Sequence, residues 1–389
     1  MYIDNQESLE ETIAIFSKAD FLTIDTEFMH ERTYYPKLCL LQVASDDLEV
    51  IIDPLAPLDL TSLTKILTDQ DITKVFHAGD QDRIILYQMI SAPVSPVFDL
   101  QRAVLLLGLS QQMSLASLVK HYCDVNLKKD ESFSDWSQRP LTTEQMNYAI
   151  NDVHYLPYIY RTIVQELEEN GRLHWLDDDF AAMGDESLYA VDSREVWKKL
   201  KSATSLKGQQ LAIAREVCSW RELTAQRRNT PRKWILPDEL IIEICRRAPA
   251  SVPDLLKIRG MKNHMNSQSA DQVLEAVAIA KQLPPVTWPK NEKFRSFDSG
   301  LSSKLDLLNS LLHLRSKELH IASSFLTNHS ELVRLACGQR TDLPLLSGWR
   351  KELIGDELVS LLEGKLALSL EGDDLKVTLL PQPATSSAH

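Results

Sequence analysis

The sequence gives no sign of disulfide, zinc or membrane chemistry. Its five cysteines (Cys39, Cys123, Cys218, Cys245 and Cys337) are odd in number, scattered and without a C-x-x-C pair, so neither a disulfide framework nor a zinc site is indicated. The opening MYIDNQESLE has no basic n-region and no apolar h-region, and the most apolar stretch, AVLLLGL at 103–109, is far too short to span a bilayer. A cytoplasmic protein that does not enter the membrane is expected. Glycine is scarce, with 12 in 389 residues, and the abundance of Leu, Ala, Glu, Lys and Gln makes the chain lean helical after an N-terminal part with β-rich runs.

Positive charge is also short overall. A formal net charge of −13 argues against a nucleic-acid partner, because phosphate binding needs local positive potential. The distribution argues the other way: residues 194–262 carry 16 Lys and Arg against 7 Asp and Glu. That asymmetry marks a polyanion-facing module, with a solvated helical surface as the plainer alternative.

The length predicts two or three domains, and a hydrophobic content of 44% is ample to pack them. Short β-prone runs at 21–25 (FLTID), 38–44 (LCLLQVA), 48–52 (LEVII) and 74–77 (KVFH) predict one sheet, with helical periodicity at 61–69, 80–90, 113–122 and 143–169. Residues 1–170 thus form an α/β domain. Residues 171–203 read as an acidic-to-basic linker with a hinge at DDDF (177–180). A helical domain follows over 204–284, with helices at 208–226 and 237–247 bracketed by prolines. The proline-rich stretch at 285–297 is a second linker, 298–377 a third, helical module, and 378–389 a tail. KIRGMKNHM (257–265) and LLSGWRKELIG (345–355) each place Gly and then a basic residue before a helical run, a hint that the two helical modules are duplicates.

Three segments carry chemistry. The apolar run before Asp25 gives way to Asp25, Thr26 and Glu27, where a buried strand should tolerate no carboxylate. Alternation puts Asp25 and Glu27 on one face, about 6.5–7 Å apart by strand rise, a gap one cation can bridge. A turn acid plus a salt bridge is the ordinary alternative. In QMNYAINDVHYL, Tyr148 and Asp152 stand four apart and meet on one helix face, although a packed Tyr beside a surface Asp is common. In VFHAGDQDRIIL, Asp80 sits where a helix N-cap is wanted, which leaves Asp82 freer to act as a ligand. Acidic ligands from separate segments suit hard cations such as Mg²⁺ or Mn²⁺, whereas zinc would want His or Cys. Two such ions about 3.5–4 Å apart suit in-line phosphodiester hydrolysis.

DTEF (25–28), HAGDQD (77–82) and YAIND (148–152) resemble the three motifs of the DEDD exonuclease superfamily, in the right order and separation, and the whole chain resembles its ribonuclease D family. The resemblance implies a ribonuclease-H-like α/β fold, a mixed sheet with flanking helices, followed by two all-α helical bundles. It implies that Asp25, Glu27 and Asp152 hold the ion that binds the attacking water, and that Asp25 and Asp82 serve a second ion. Tyr148 would orient the water, since a phenol of ordinary pKa near 10 is a poor base at neutral pH. Tyr148 lies four before Asp152, which gives the tyrosine subclass; the histidine subclass needs His five before, where Asn147 stands. His154 is therefore not the base.

Beyond these five, Phe28 and Met29 are candidates to lie against the terminal base, with core packing as the alternative. DWSQRPL (135–141) also resembles the family's, and Arg139 either reaches a phosphate or caps a local turn. QQLAIAREVCSWRE, RNTPRKWILPDELI and LLKIRGMK together resemble the helicase-and-ribonuclease-D C-terminal (HRDC) domain, which implies RNA binding with Arg227, Arg228, Arg232 and Lys233 as phosphate contacts. Residues 298–377 resemble a second, divergent copy, in which acidic residues favour a structural or dimerising role as much as RNA contact. The expected partner is RNA with a single-stranded 3′ end, tRNA precursors among the family's usual substrates, and a monomer is expected. Two other functions use the same residues: a DNA-directed 3′-5′ exonuclease, and a non-catalytic RNA-binding scaffold whose acids are only caps and salt bridges.

Overall fold

The computed structural model describes residues 1–110, 112–127, 134–290 and 299–381. Its first domain is built on six strands, β1 (Tyr2–Ile3), β2 (Phe21–Met29), β3 (Lys37–Ala44), β4 (Glu49–Ile52), β5 (Thr73–Phe76) and β6 (Val97–Asp99), in the order β1-β4-β3-β2-β5-β6. β2, β3 and β4 form an antiparallel meander. β1 joins β4 in parallel, and β5 and β6 extend the sheet in parallel from β2. The sheet is therefore mixed, with flanking helices, as expected. β1 and β6, of 2 and 3 residues, are too short to show alternation in the sequence.

β2 runs four residues further than the apolar pattern predicts. Its first four residues are buried, and the strand then stays paired with β3 through Asp25↔Gln42 and Glu27↔Leu40 until a bulge between Glu27 and Phe28. Ladder hydrogen bonds, not apolar side chains, carry the strand through its acids.

The helix expected over 143–169 is two helices, Thr143–His154 and Leu156–Glu169. Pro157 occupies the first turn of the second, where its missing N–H is harmless, and it cannot continue the first. The first helix starts firmly: Thr142 Oγ1 accepts from Gln145 N at 3.1 Å while the Gln145 side chain accepts from Thr142 N at 3.0 Å, a complete capping box. The expected hinge at 177–180 is folded as the helix Asp177–Met183, whose three N-terminal aspartates suit its dipole and whose Phe180 and Met183 are buried.

The middle module has its own core. Helix Gln209–Arg228 is buried on nearly every side (Ala212, Ile213, Ala214, Val217 and Cys218), between helices Asp238–Arg247 and Ser267–Gln282, with Trp197 and Leu200 beneath. The third module contains helices Ser299–Leu319, His329–Ala336 and Asp356–Leu362, and its core is continuous with that of the first domain. Trp349 stacks on Trp175 at 5.0 Å, Arg350 pairs with Asp179 at 2.8 Å, and Arg172 donates to the carbonyls of Leu106 and Leu319, both at 2.6 Å. Residues 172–183 are thus a platform for the third module rather than a linker.

That module, expected to be helical throughout, ends in a hairpin, β7 (Leu366–Glu371) paired with β8 (Asp374–Leu379). Its side chains are mostly exposed, so no buried face advertised the alternation of LALSLE and DLKVTL. Thr378 and Leu379 belong to β8 rather than to the expected tail; residues 382–389 of that tail and 291–298 around the second linker lie outside the described residues. No described helix is long and apolar enough to cross a membrane.

Candidate active site

Three elements converge at the C-terminal end of β2. Asp25 and Glu27 project from one face of the strand, and the Thr143–His154 helix covers that face, burying Gln145, Ala149 and Val153. Tyr148 and Asp152 lie one turn apart on this helix. One carboxylate oxygen from each of Asp25, Glu27 and Asp152 lies within 4.8 Å of the others, which no strand alone achieves.

The fourth acid arrives from the neighbouring parallel strand. β5 turns tightly into helix Asp80–Ile90, and the turn needs Gly79, because a Cβ there would stand 2.4 Å from Phe76 Cβ. Asp99 ties this turn down, accepting from Gly79 N at 2.9 Å. Asp82, in the first helical turn, accepts from Thr26 Oγ1 at 2.5 Å, which fixes its carboxylate beside the trio. Asp80 is not the cap expected of it. The N-cap is Gly79, and Asp80 faces outward to Arg83 at 2.6 Å and Arg102 at 3.4 Å. The conclusion that Asp82 is the inward acid stands, but on geometry rather than on capping.

The electrostatics of the site are those of an unneutralised acid cluster. Burial, then Asp82, Asp152 and Glu27, push the Asp25 carboxyl well above its ordinary value. Burial, then Asp152 and Asp82, push Glu27 up to about 8, and burial with Asp82 pushes Asp152 up to about 7. Burial raises Asp82 too, against the hydrogen bonds from Thr26 and the backbone. Among the described residues, no Lys or Arg forms an ion pair with any of these four carboxylates. An all-oxygen donor set without a counter-ion is the environment a hard divalent cation fits.

The other residues singled out by sequence are distributed unevenly. Tyr148 is half-buried, its ring 5.8 Å from that of Trp136. Met29 packs in the small cluster with Cys39, Leu40, Trp136 and Tyr148, so it serves packing, while Phe28 follows the bulge and is half-buried. His154 points away, its Nδ1 2.6 Å from Glu49. Arg139 has all five N–H groups engaged, with Asp53 at 2.6 and 2.7 Å and with the carbonyls of Trp136, Gln138 and Cys39. It is a clamp that holds the 134–141 segment to β3, and the phosphate contact expected of it has no free donor. Arg232 is likewise committed, neutralising the buried Glu222 at 2.5 and 2.8 Å. Arg227 bonds within its own helix to Leu223 and Thr224, whereas Arg228 and Lys233 are exposed and form no ion pair among the described residues.

Two residues have roles at the site that the sequence does not show. Thr26 positions Asp82, and only the third dimension links them. Gln42, opposite Asp25 on β3, is fully buried with neither amide atom hydrogen-bonded. A lone Gln inside LCLLQVA was its signal.

The 3′-5′ exonuclease family matches residues 1–168, and the HRDC domain matches residues 210–277. Ribonuclease D of Zymomonas mobilis is 37% identical over 369 residues, covering 94% of this chain and 94% of the relative. The chain belongs to the ribonuclease D family. Ribonuclease D of Gluconacetobacter diazotrophicus is 36% identical, over 96% of this chain and 95% of its own length. The crystal structure of Escherichia coli RNase D, described as an exoribonuclease involved in structured RNA processing, superposes with a TM-score of 0.81 at 28% identity, covering 94% of this chain and 98% of that one. The catalytic core of RRP6 from Trypanosoma brucei aligns with a TM-score of 0.53 at 25% identity over 72% of this chain and 79% of its own. As a ribonuclease D, the chain is a 3′-5′ exoribonuclease that acts on RNA, and the exonuclease fold with its acidic cluster implies dependence on divalent metal.

Proposed function

We propose that this ribonuclease D trims the 3′ ends of structured RNA precursors, tRNA among them, releasing nucleoside 5′-monophosphates with two divalent ions, Mg²⁺ or Mn²⁺. The observation that carries this reading is the convergence of Asp25, Glu27 and Asp152 within 4.8 Å, beside Asp82 and with no basic ion-pair partner among the described residues. When bound, the ions supply Lewis-acid activation of water and neutralise charge on the phosphate. Asp25, Glu27 and Asp152 would hold one ion, and Asp25 with Asp82 would hold the other. Tyr148, one turn from Asp152, directs the water by hydrogen bonding and does not take its proton. Thr26 holds Asp82 in place, and Asp99 fixes the turn from which its helix starts.

We divide the chain into an exonuclease domain (1–170), an HRDC domain (204–284) and a divergent HRDC-like module (298–377), acting as a monomer. Phe28 lies against the terminal base, and Arg228 and Lys233 are the phosphate contacts that support binding of the RNA body. All five cysteines are free thiols, which suits a reducing cytoplasm. The substrate reading is tested by digesting a panel of tRNA precursors and unstructured RNAs of equal length with each metal. Preferential shortening of the precursors to a defined 3′ end is expected; equal degradation of all substrates would refute the tRNA assignment.

A further inference from the structure

The loop that leaves the catalytic strand does not end in solvent. Tyr34 reaches the HRDC domain, where its hydroxyl donates to Glu222 and accepts from Gln226 Nε2 and Arg232 at 3.1 Å each. The Arg232 guanidinium lies 4.8 Å over its ring, and Tyr35 N donates to Asn229 Oδ1 at 3.0 Å. This latch fixes the 30–36 loop against the HRDC domain and encloses a cleft of about 650 Å³ between them, within the range of about 300–1,000 Å³ usual for ligand sites.

The chemistry of that cleft is uneven in a telling way. Trp234 lines it and is 58% exposed, although its neighbour Ile235 is buried. An indole left in water next to a well-packed anchor is a surface waiting for a flat apolar partner. Lys199, Lys201 and Lys233 line the same cleft, and none of the three ammonium groups forms an ion pair among the described residues. Most acids of the basic segment are spent elsewhere: Glu195, Glu216, Glu222, Asp238, Glu243 and Asp254 all pair with other Lys or Arg residues. Of the two acids lining the cleft, Asp238 is neutralised by Arg221 at 2.7 Å, leaving Glu31 as the one acid there without a described ion pair. Unpaired cations around an exposed aromatic are the pairing that grips single-stranded nucleic acid, phosphates on the cations and a base on the ring.

We propose that this cleft is an upstream nucleotide subsite. It takes a base of the RNA chain stacked on Trp234, with the flanking phosphates on Lys199, Lys201 and Lys233. Resting on the exonuclease reading, it adds where the chain runs after leaving the acids. His30, on the rim of the cleft, is three residues beyond Glu27 along the chain leaving β2. At strand rise that is about 10 Å, the rise of about three stacked nucleotides. The subsite therefore engages oligomers and misses dinucleotides.

Binding in chelator tests the subsite without hydrolysis. Affinities of a dinucleotide and a single-stranded decanucleotide RNA are measured for the wild type, Trp234→Ala, Trp234→Phe and the triple variant Lys199→Ala/Lys201→Ala/Lys233→Ala. For Trp234→Ala the ratio of decanucleotide to dinucleotide affinity should fall about tenfold, and Trp234→Phe should restore most of it. The triple variant should flatten the salt dependence of decanucleotide binding. With 2-aminopurine scanned along the decanucleotide, quenching that depends on Trp234 should centre about three or more positions from the 3′ end. An unchanged affinity ratio in Trp234→Ala, or quenching indifferent to Trp234, would overturn the subsite. Neither result touches the exonuclease reading, which is decided separately by hydrolysis in metal.

Discussion

Replacing Asp152 with Asn should stabilise the metal-free protein at alkaline pH while destroying its activity. The Asp152 carboxyl is pushed up to about 7 in the folded chain, by burial first and by Asp82 second, against an ordinary value of about 3.9 in the unfolded one. A carboxyl raised on folding contributes stability that is fully present below the unfolded pKa and lost as pH rises through the folded one. Ionisation of Asp152 therefore destabilises the metal-free fold progressively between about pH 4 and pH 8. A gap of about 3 pKa units sets an upper bound of about 4 kcal/mol, and coupling to Asp82 with partial solvent access brings a sensible value to about 2 kcal/mol. Asparagine keeps the shape and cannot ionise. In chelator at about pH 8, Asp152→Asn should melt about 4–8 °C above the wild type, and the gain should shrink towards zero near pH 4. Saturating Mg²⁺ should reverse the order, because only the wild type gains binding energy from the ion. Calorimetric or fluorescence melting across pH, with and without metal, reads all three effects. A lower Tm for Asp152→Asn in chelator at pH 8, or a gain independent of pH, would refute the picture of an unneutralised acid cluster.

Other substitutions separate the roles of neighbouring residues. Tyr148→Phe should lower kcat by about tenfold or more, the scale of losing a positioned hydrogen bond to the reacting group, while RNA affinity in chelator stays within about twofold by fluorescence anisotropy; equal losses in both would assign Tyr148 to binding. Asp82→Asn should abolish hydrolysis, whereas Asp80→Asn, at the exposed end of the pair with Arg83, should cost about 0.5–1 kcal/mol of stability and leave the rate within about twofold; the opposite pattern would exchange the two acids. Gln42→Leu should leave the Tm of the metal-free protein unchanged or raise it, because it removes a buried amide with neither atom hydrogen-bonded. A fall of several degrees would mean that the amide has a partner.

How much of this was written in the sequence depends on the range of the interaction concerned. The pairs Asp25 and Glu27, and Tyr148 and Asp152, are set by periods of two and nearly four, so their shared faces follow from local geometry. That they share one site needs the order β3-β2-β5 and the helix above it, which no local period encodes; the motif resemblance supplied that step. The N-cap falls on Gly79 rather than Asp80, whose pairing with Arg83 is local, one turn on in the same helix, whereas its pairing with Arg102 depends on the Leu100–Ala103 helix packed nearby. The sequence suggests Arg139 and Arg232 as phosphate contacts because charge is visible in it and neutralisation is not: Asp53 lies 86 residues from Arg139, and Glu222 is buried by folding. The docking of the third module on residues 172–183 was hidden for the same reason, since Trp175 and Trp349 are 174 positions apart.

We propose that five side chains from three segments form one metal-dependent exonuclease centre. Product analysis tests it most directly: a 5′-labelled single-stranded RNA is incubated with the full chain in Mg²⁺ or Mn²⁺, and its fragments and released nucleotides are resolved over time. Stepwise shortening from the 3′ end by single nucleotides is expected, with release of nucleoside 5′-monophosphates, abolished by chelator and by Asp25→Asn. Internal cleavage products, or undiminished hydrolysis in Asp25→Asn, would contradict it.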